Sequence, residues 1–291
     1  MIPIILGTAQ WSGDYGVVRE INSFNLEEAH KIVSTACEIG IDKIDTAAGY
    51  GAGSVEKLLG ASYAQNMQLI SKLPMVLESK LDIQKWARDS VSGMLQRLKR
   101  HQLNTLLLHN PEDILSEYGS SLLSELLRMK SDGLIFKLGI SVYNPSQANN
   151  LLDLYDFDCI QIPYSVFDQR PTYNNWLDQM NDRGIDVHLR SVFLQGLLAR
   201  EKEEIPSYFI ENWGNLFTKW WDYCEMVHAS PKEVAITFAR QELRAQGVVV
   251  GFENAQQLKQ VASIDIEINS EDLKEFSCSD NLLIEPFRWR M

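Results

Sequence analysis

Eight short apolar runs recur along the chain, at residues 2–8, 41–45, 67–72, 103–109, 135–141, 159–162, 186–191 and 247–250, with helix-patterned segments between them. Each run is nearly continuous in apolar character, as a strand covered on both faces must be. Strands that alternate with helices build parallel sheets through βαβ crossovers. The helical segments carry their own start and stop signals. Asn25 opens "NLEEAHKIVSTACEIG" and Gly40 closes it, with Leu26, Ala29, Ile32, Val33 and Ala36 along one face. The same pattern places helices near residues 53–63, 82–100, 116–132, 145–153, 172–182, 230–244 and 254–263, with Gly133 and Gly184 where helices end.

Eight strand and helix pairs within 291 residues match a (β/α)8 TIM barrel, whose typical length is about 250 residues. A doubly wound sheet is the competing arrangement. The expectation is a single α/β domain over residues 1–291, with a helical insertion after the seventh strand and a tail after Asn269. In the insertion, Trp213, Trp220, Trp221 and Tyr223 supply either a substrate wall or the core of an extra helix.

A net charge of −12, with no basic cluster, repels phosphate backbones and anionic lipid surfaces, so nucleic acid and membrane are not expected partners. No apolar run approaches the roughly 20 residues of a membrane-spanning helix. "MIPIILGTAQ" reads as a first strand rather than a secretory leader, which points to the cytoplasm. Cys37, Cys159, Cys224 and Cys278 are widely spaced, as reduced thiols are, and no ligand spacing calls for a metal.

The chemistry concentrates in "KIDTAAGYGAGSVEKLLG", residues 43–60. Its glycines fall short of the dinucleotide pattern, which needs a third glycine, and are better read as turn residues around Tyr50. In a barrel, the C-terminal ends of the strands and the loops beyond them line one open mouth. Asp45 ends the second strand, Tyr50 follows in its loop, Lys72 ends the third strand and His109 the fourth. Each alone has a plain structural reading: a cap, a surface aromatic, a solvated charge, a core histidine. Together they make a proton-transfer site. A tyrosine, with a reference pKa of about 10, releases its proton only beside a cation, which Lys72 supplies. A buried lysine needs a carboxylate, which Asp45 supplies. His109 is placed to orient a carbonyl oxygen. An electron source is missing from the side chains, and a nicotinamide cofactor would fill that gap.

These residues resemble the aldo-keto reductase superfamily. "GTAQWSGDYG" is similar to its first strand and loop, and "IDKIDTAAGYGAGSVEKLLG" to its aspartate–tyrosine signature, with Val55 where a serine is usual. Asp45, Tyr50, Lys72 in "LISKLP" and His109 in "LLLHNPE" match the family's tetrad. The resemblance implies carbonyl reduction with Tyr50 as the general acid and NADP(H) or NAD(H) held without a Rossmann motif. It also implies cofactor contacts at Ser141, Gln161, Arg190, Ser191, Phe193, Gly251, Glu253 and Gln257, and substrate contacts at Gln10, Trp11 and Tyr15.

The chain departs from the family pattern at three places. Val142 stands where an asparagine usually contacts the carboxamide, and Arg190 precedes "SVFLQGLL" where an aromatic residue usually stacks on the nicotinamide. Arg190 would then stack on the ring, face the substrate or meet a pyrophosphate. Glu253 stands in the adenosine-phosphate segment "VVVGFENAQQLKQV" where NADPH-preferring members carry a cation, so it either favours NAD(H) or points into solvent. The expected activity is interconversion of a small aldehyde, ketone or sugar with its alcohol, by a monomer or homodimer. The variant motifs look like a bacterial subgroup associated with sugar and surface-polysaccharide pathways. The competing readings are a nucleotide-binding sensor barrel and a non-redox sugar epimerase or lyase.

Overall fold

The computed structural model describes residues 1–13, 24–62, 64–77 and 82–289. Eight parallel strands close into a barrel in sequence order: β1 (Ile4–Gly7), β2 (Lys43–Asp45), β3 (Gln68–Leu73), β4 (Leu103–Leu108), β5 (Ile135–Ser141), β6 (Cys159–Pro163), β7 (Asp186–Arg190) and β8 (Gly247–Gly251). The last strand returns to the first, with Ile5 opposite Val249 and Gly7 opposite Gly251. The chain is thus a (β/α)8 barrel rather than an open sheet.

The barrel is surrounded by α1 (Leu26–Glu38), α2 (Ser54–Ala61), α3 (Ile83–Leu98), α4 (Gly119–Ser131), α5 (Pro145–Leu152), α6 (Trp176–Asp182), α7 (Ser207–Met226), α8 (Pro231–Arg240), α9 (Ala255–Ala262) and a short α10 (Asn281–Ile284). Asn25, Asp82, Asn144, Ser230 and Asn254 cap their helices by accepting a backbone N–H with the side chain. Gly40, Gly133 and Gly184 adopt the left-handed conformation after helix ends. The helix expected from residue 172 begins only at Trp176, because Asn174 and Asn175 are left-handed and break it.

Side chains alternate across each strand. Outward-facing residues such as Leu6, Ile44, Leu69, Leu106, Leu138, Ile160, Val187 and Val248 pack on the helices in the main core. Ile5, Ile70, Leu107 and Cys159, with Val249 against them, form a separate cluster inside the barrel. In register with this inner set, one or two steps toward the C-terminal ends, stand Asp45, Lys72, Ser141, Gln161, Arg190 and Gly251. The alternation that fills the barrel therefore also aims these residues into its mouth.

The aromatic residues of the insertion belong to a core. Phe217, Trp220, Trp221 and Tyr223 of α7 are buried, with Phe217 edge-on to Phe167 at 5.3 Å and Trp220 near Phe276 at 6.1 Å. The tail packs on the same annex through Leu273, Phe276 and Leu283, and the Cys278 backbone N–H donates to the Phe167 carbonyl at 2.8 Å. No helix among the described residues is long and apolar enough to cross a membrane.

Inside the barrel, the His188 ring is buried with Nδ1 3.5 Å from Cys159 Sγ, and Nε2 has no partner among the described residues. Burial, followed by the charge of Lys43, lowers its pKa from 6.5 to about 4. An unfolded chain takes up this proton near pH 6.5 and the folded one only near 4, so this stability is lost as the pH falls through that window. Between pH 7.5 and 5 the urea-derived unfolding free energy should fall by about 2 kcal/mol more in the wild type than in His188→Leu. Parallel slopes would mean that the ring is protonated in the native state.

Candidate active site

The centre of the mouth is a buried ion pair. Lys72 Nζ donates to Asp45 Oδ1 at 2.6 Å and to the Thr46 carbonyl at 3.0 Å, and both side chains are under 5% exposed. Gln161 Nε2 donates to the other Asp45 oxygen at 2.7 Å, so both carboxylate oxygens are engaged, from two strands. Burial acts to lower the Lys72 pKa, but Asp45 and Tyr50 outweigh it and the net direction is up. Lys72 is therefore charged across the neutral range.

Tyr50 is carried on a tight turn over Tyr50–Gly53. Gly51, Ala52 and Gly53 all have positive φ, and a Cβ at Gly51 would lie 2.3 Å from Ser54 Oγ. Behind the turn, the fully buried Glu56 accepts from Ser71 Oγ at 3.1 Å and Arg97 Nε at 2.7 Å. Ser71 points out of the barrel to Glu56, and its neighbour Lys72 points in to Tyr50. The same strand thus fixes the turn from one face and supplies the cation from the other. Lys72 Nζ lies 5.3 Å from the Tyr50 ring centroid.

His109 follows β4 directly, its backbone N–H donating to the Leu73 carbonyl at 3.2 Å. Its ring opens onto the mouth and meets Tyr50 edge-on, with centroids 6.3 Å apart and planes at 87°. The surrounding protein, then the charges of Lys72 and Arg190, lower its pKa to about 4. At neutral pH this is a neutral imidazole with one N–H to donate. A phenol beside a cation, with a neutral donor next to it, can pass a proton to an oxygen that gains negative charge.

These groups line a cavity of about 380 Å³ together with Gln10, Ser141, Gln161, Arg190, Ser191, Phe193, Gly251 and Glu253. Gln10 is packed against Gly251, where a Cβ would fall 1.7 Å from Gln10 Oε1. Gln257 is not a wall residue; it accepts the Glu253 N–H at 3.0 Å and so holds that residue at the rim. Trp11 differs from expectation. It is 3% exposed, stacked on Phe24 at 4.5 Å, with its indole N–H on the Phe252 carbonyl at 3.2 Å, and it clasps the first loop to the eighth instead of lining the cavity. Tyr15 lies outside the described residues.

Arg190 is braced by the protein. Nη2 donates to the Val142 carbonyl at 3.0 Å, Nη1 to Ser191 Oγ at 3.1 Å, and the guanidinium lies 5.2 Å from the Tyr143 ring centroid. The sequence reading missed Tyr143, Asp168 and the tail residues Ile284, Pro286 and Phe287, all of which line the cavity. Arg170 ties them together, donating to both Asp168 oxygens at 2.7 and 2.8 Å, to Glu285 at 3.0 Å and to the Tyr143 carbonyl at 3.0 Å. Tyr143, directly after "ISV", carried a usable signal, being an aromatic just past a strand end. The tail has no motif that ties it to the mouth.

Removing the Asp45 charge leaves the buried Lys72 ammonium without its anion. Asp45→Asn should cost roughly 3 kcal/mol of stability, read from urea midpoints at pH 7.5. An unchanged midpoint would mean that Lys72 finds another partner or water.

The sequence matches the aldo/keto reductase family over residues 3–279. It is 24% identical to the NADH-specific methylglyoxal reductase of Escherichia coli, over 91% of this chain and 89% of that one. It is 25% identical to the D-threo-aldose 1-dehydrogenase of a Pseudomonas species, over 85% and 87%. Among solved structures, the holo form of an aldo-keto reductase from Bacillus halodurans superposes with a TM-score of 0.75 at 18% identity, covering 98% of this chain and 95% of that one. The glycerol dehydrogenase of Gluconobacter oxydans gives 0.72 at 19% identity, over 99% and 93%. With the barrel and a family match across nearly its whole length, this chain belongs to the aldo/keto reductase family.

Proposed function

We propose that the protein is an NAD(P)-dependent oxidoreductase that interconverts the carbonyl of a small aldehyde, ketone or sugar with the corresponding alcohol. The reading is carried by the placement of Tyr50 against the buried Lys72–Asp45 pair, with the neutral His109 ring edge-on to it. In the reductive direction Tyr50 gives its proton to the carbonyl oxygen, and the Lys72 ammonium stabilises the phenolate that remains. Asp45 and the Thr46 carbonyl keep Lys72 charged and in place. His109 donates its N–H to the same oxygen and orients it. When bound, the nicotinamide supplies the hydride or takes it back.

The donor set of the mouth fits such a cofactor. Among the described residues neither the Ser141 hydroxyl nor the Gln161 amide oxygen has a hydrogen-bond partner, while the Gln161 nitrogen serves Asp45, and both residues line the cavity. After β7, positive φ at Ser191, Leu194, Gln195 and Gly196 folds the chain into a tight arc along the cavity wall, beside the flat Phe193 ring. Glu253, held at the rim by Gln257, would repel a 2′-phosphate and accept from a free ribose hydroxyl. We therefore infer that NAD(H) is accepted at least as well as NADP(H), in keeping with the name of the Escherichia coli relative. The aldose and glycerol named for other relatives fit a polar carbonyl or polyol substrate class.

Tyr50→Phe should lower kcat by about 100-fold to 10,000-fold and leave the affinity for NADH, followed by tryptophan fluorescence, within about threefold of wild type. Undiminished turnover would remove Tyr50 from the proton path. In the same titration, NADPH binding more than about tenfold tighter than NADH would refute the assignment of Glu253.

A further inference from the structure

Gln161 faces two parts of the site with the two ends of its amide. Its Nε2 donates to Asp45 at 2.7 Å, and Asp45 gives its other oxygen to Lys72 at 2.6 Å. A carboxylate paired with an ammonium accepts hydrogen bonds and donates none. The end of Gln161 that meets Asp45 is therefore its NH2, whatever stands in the cavity. Reversing the amide would set two acceptors face to face at a buried position, since Gln161 and Asp45 are 1% and 3% exposed. The oxygen is left for the other side, where Gln161 lines the cavity and Oε1 has no partner among the described residues.

The neighbours of Gln161 make this polarity the deciding one. Ser141 stands opposite it in the β5–β6 ladder, and a hydroxyl turns to donate or to accept as a ligand requires. Val142 is fully buried and apolar, and its backbone N–H is taken by the Gln161 carbonyl at 2.9 Å. An amide-sized group at this wall thus meets one hydroxyl that adapts and one oxygen that only accepts. The nicotinamide of the proposed cofactor carries such a group, and its NH2 is the donor that the oxygen lacks.

We propose that Asp45, besides holding Lys72, is a positioning residue for the cofactor: through Gln161 it fixes an acceptor toward the cavity and so selects the NH2 edge of the carboxamide. This rests on the oxidoreductase reading and gives a second duty to a residue that the proton path already uses. Asp45→Asn reverses the logic. The Lys72 ammonium only donates, so the new amide keeps its oxygen on Lys72 and turns its NH2 to Gln161. Gln161 must then answer with its oxygen and present its own NH2 to the cavity.

The test is equilibrium binding, followed by tryptophan fluorescence, of NAD+ and of its 3-acetylpyridine analogue, in which a methyl group replaces the NH2. The wild type should bind NAD+ about tenfold tighter than the analogue. Gln161→Met should bring that ratio near one, and Asp45→Asn should bring it to one or below. A wild-type ratio near one would overturn the proposal. So would an equal weakening of both ligands in Asp45→Asn with the ratio intact, which is what a purely structural role would give. Because Asp45→Asn is also expected to lose stability, a second measurement uses the wild type without ligand. The Gln161 NH2 resonances, assigned by their absence from Gln161→Met, should exchange with solvent at least about tenfold more slowly than those of exposed glutamines. Fast exchange would put the NH2 in the cavity and overturn the proposal. Turnover of small carbonyl compounds with no discrimination between the two nucleotides would sink this proposal and leave the oxidoreductase reading standing. Slow exchange with neither nucleotide bound would sink the oxidoreductase reading, and the carboxamide as ligand with it, while the orientation of Gln161 held.

Discussion

Closure of the eight strands in sequence order fixes everything else in this protein. Once β8 pairs with β1, every strand has two neighbours, and the side-chain period of two assigns each residue to the inside or the outside of the barrel. The register leaves no freedom for single strands. A one-residue slip in β3 would turn Lys72 out among the helices and bring Ser71 into the barrel. The inner apolar layer of Ile5, Ile70, Leu107 and Cys159 is the floor on which the mouth rests. Polar groups above that floor can be dense because they do not have to hold the barrel together.

The Lys72–Asp45 pair shows the cost of that density. Two charges out of water are stabilising only with excellent geometry and full hydrogen bonding. Here the carboxylate accepts from Lys72 and Gln161, and the ammonium has Asp45, the Thr46 carbonyl and the influence of Tyr50. Gln161 thus has a structural duty in addition to any role toward a cofactor. The surrounding protein first, and then the charges of Lys72 and Arg190 against the opposing one of Asp45, hold His109 neutral, which separates a hydrogen-bond donor from a general base.

Much of this was legible in the sequence, for physical reasons. Strands buried on both faces read as short apolar runs, helix caps read as Asn, Asp or Ser before periodic segments, and strand-end polar residues stand out against apolar neighbours. Asp45, Tyr50, Lys72 and His109 were found that way, and the structure brings them to one mouth. Strand ends were misjudged by a residue at Thr8, His109 and Ser191, where the chain leaves the ladder. Trp11 was read as a cavity residue because its position in the first loop is right; its indole instead turned toward Phe252, a contact set by the eighth loop and invisible in local sequence. The Arg170 network and the tail were missed because contacts spanning 115 residues leave no periodic trace.

The walls of the cavity come from Gly7 at one extreme and Phe287 at the other, with contributions from every strand end between them. The site is therefore the most non-local object in the molecule, and loop-closure entropy makes such contacts the last to be rewarded during folding. A chain that has formed its helices and most of its strand pairs, but has not yet joined β8 to β1, has native-like secondary structure and no pocket. Ligand binding at the mouth thus reports completion of the fold more stringently than circular dichroism does. It also gives a ligand its largest leverage on the closing step, since whatever fills the cavity holds the two ends of the barrel together.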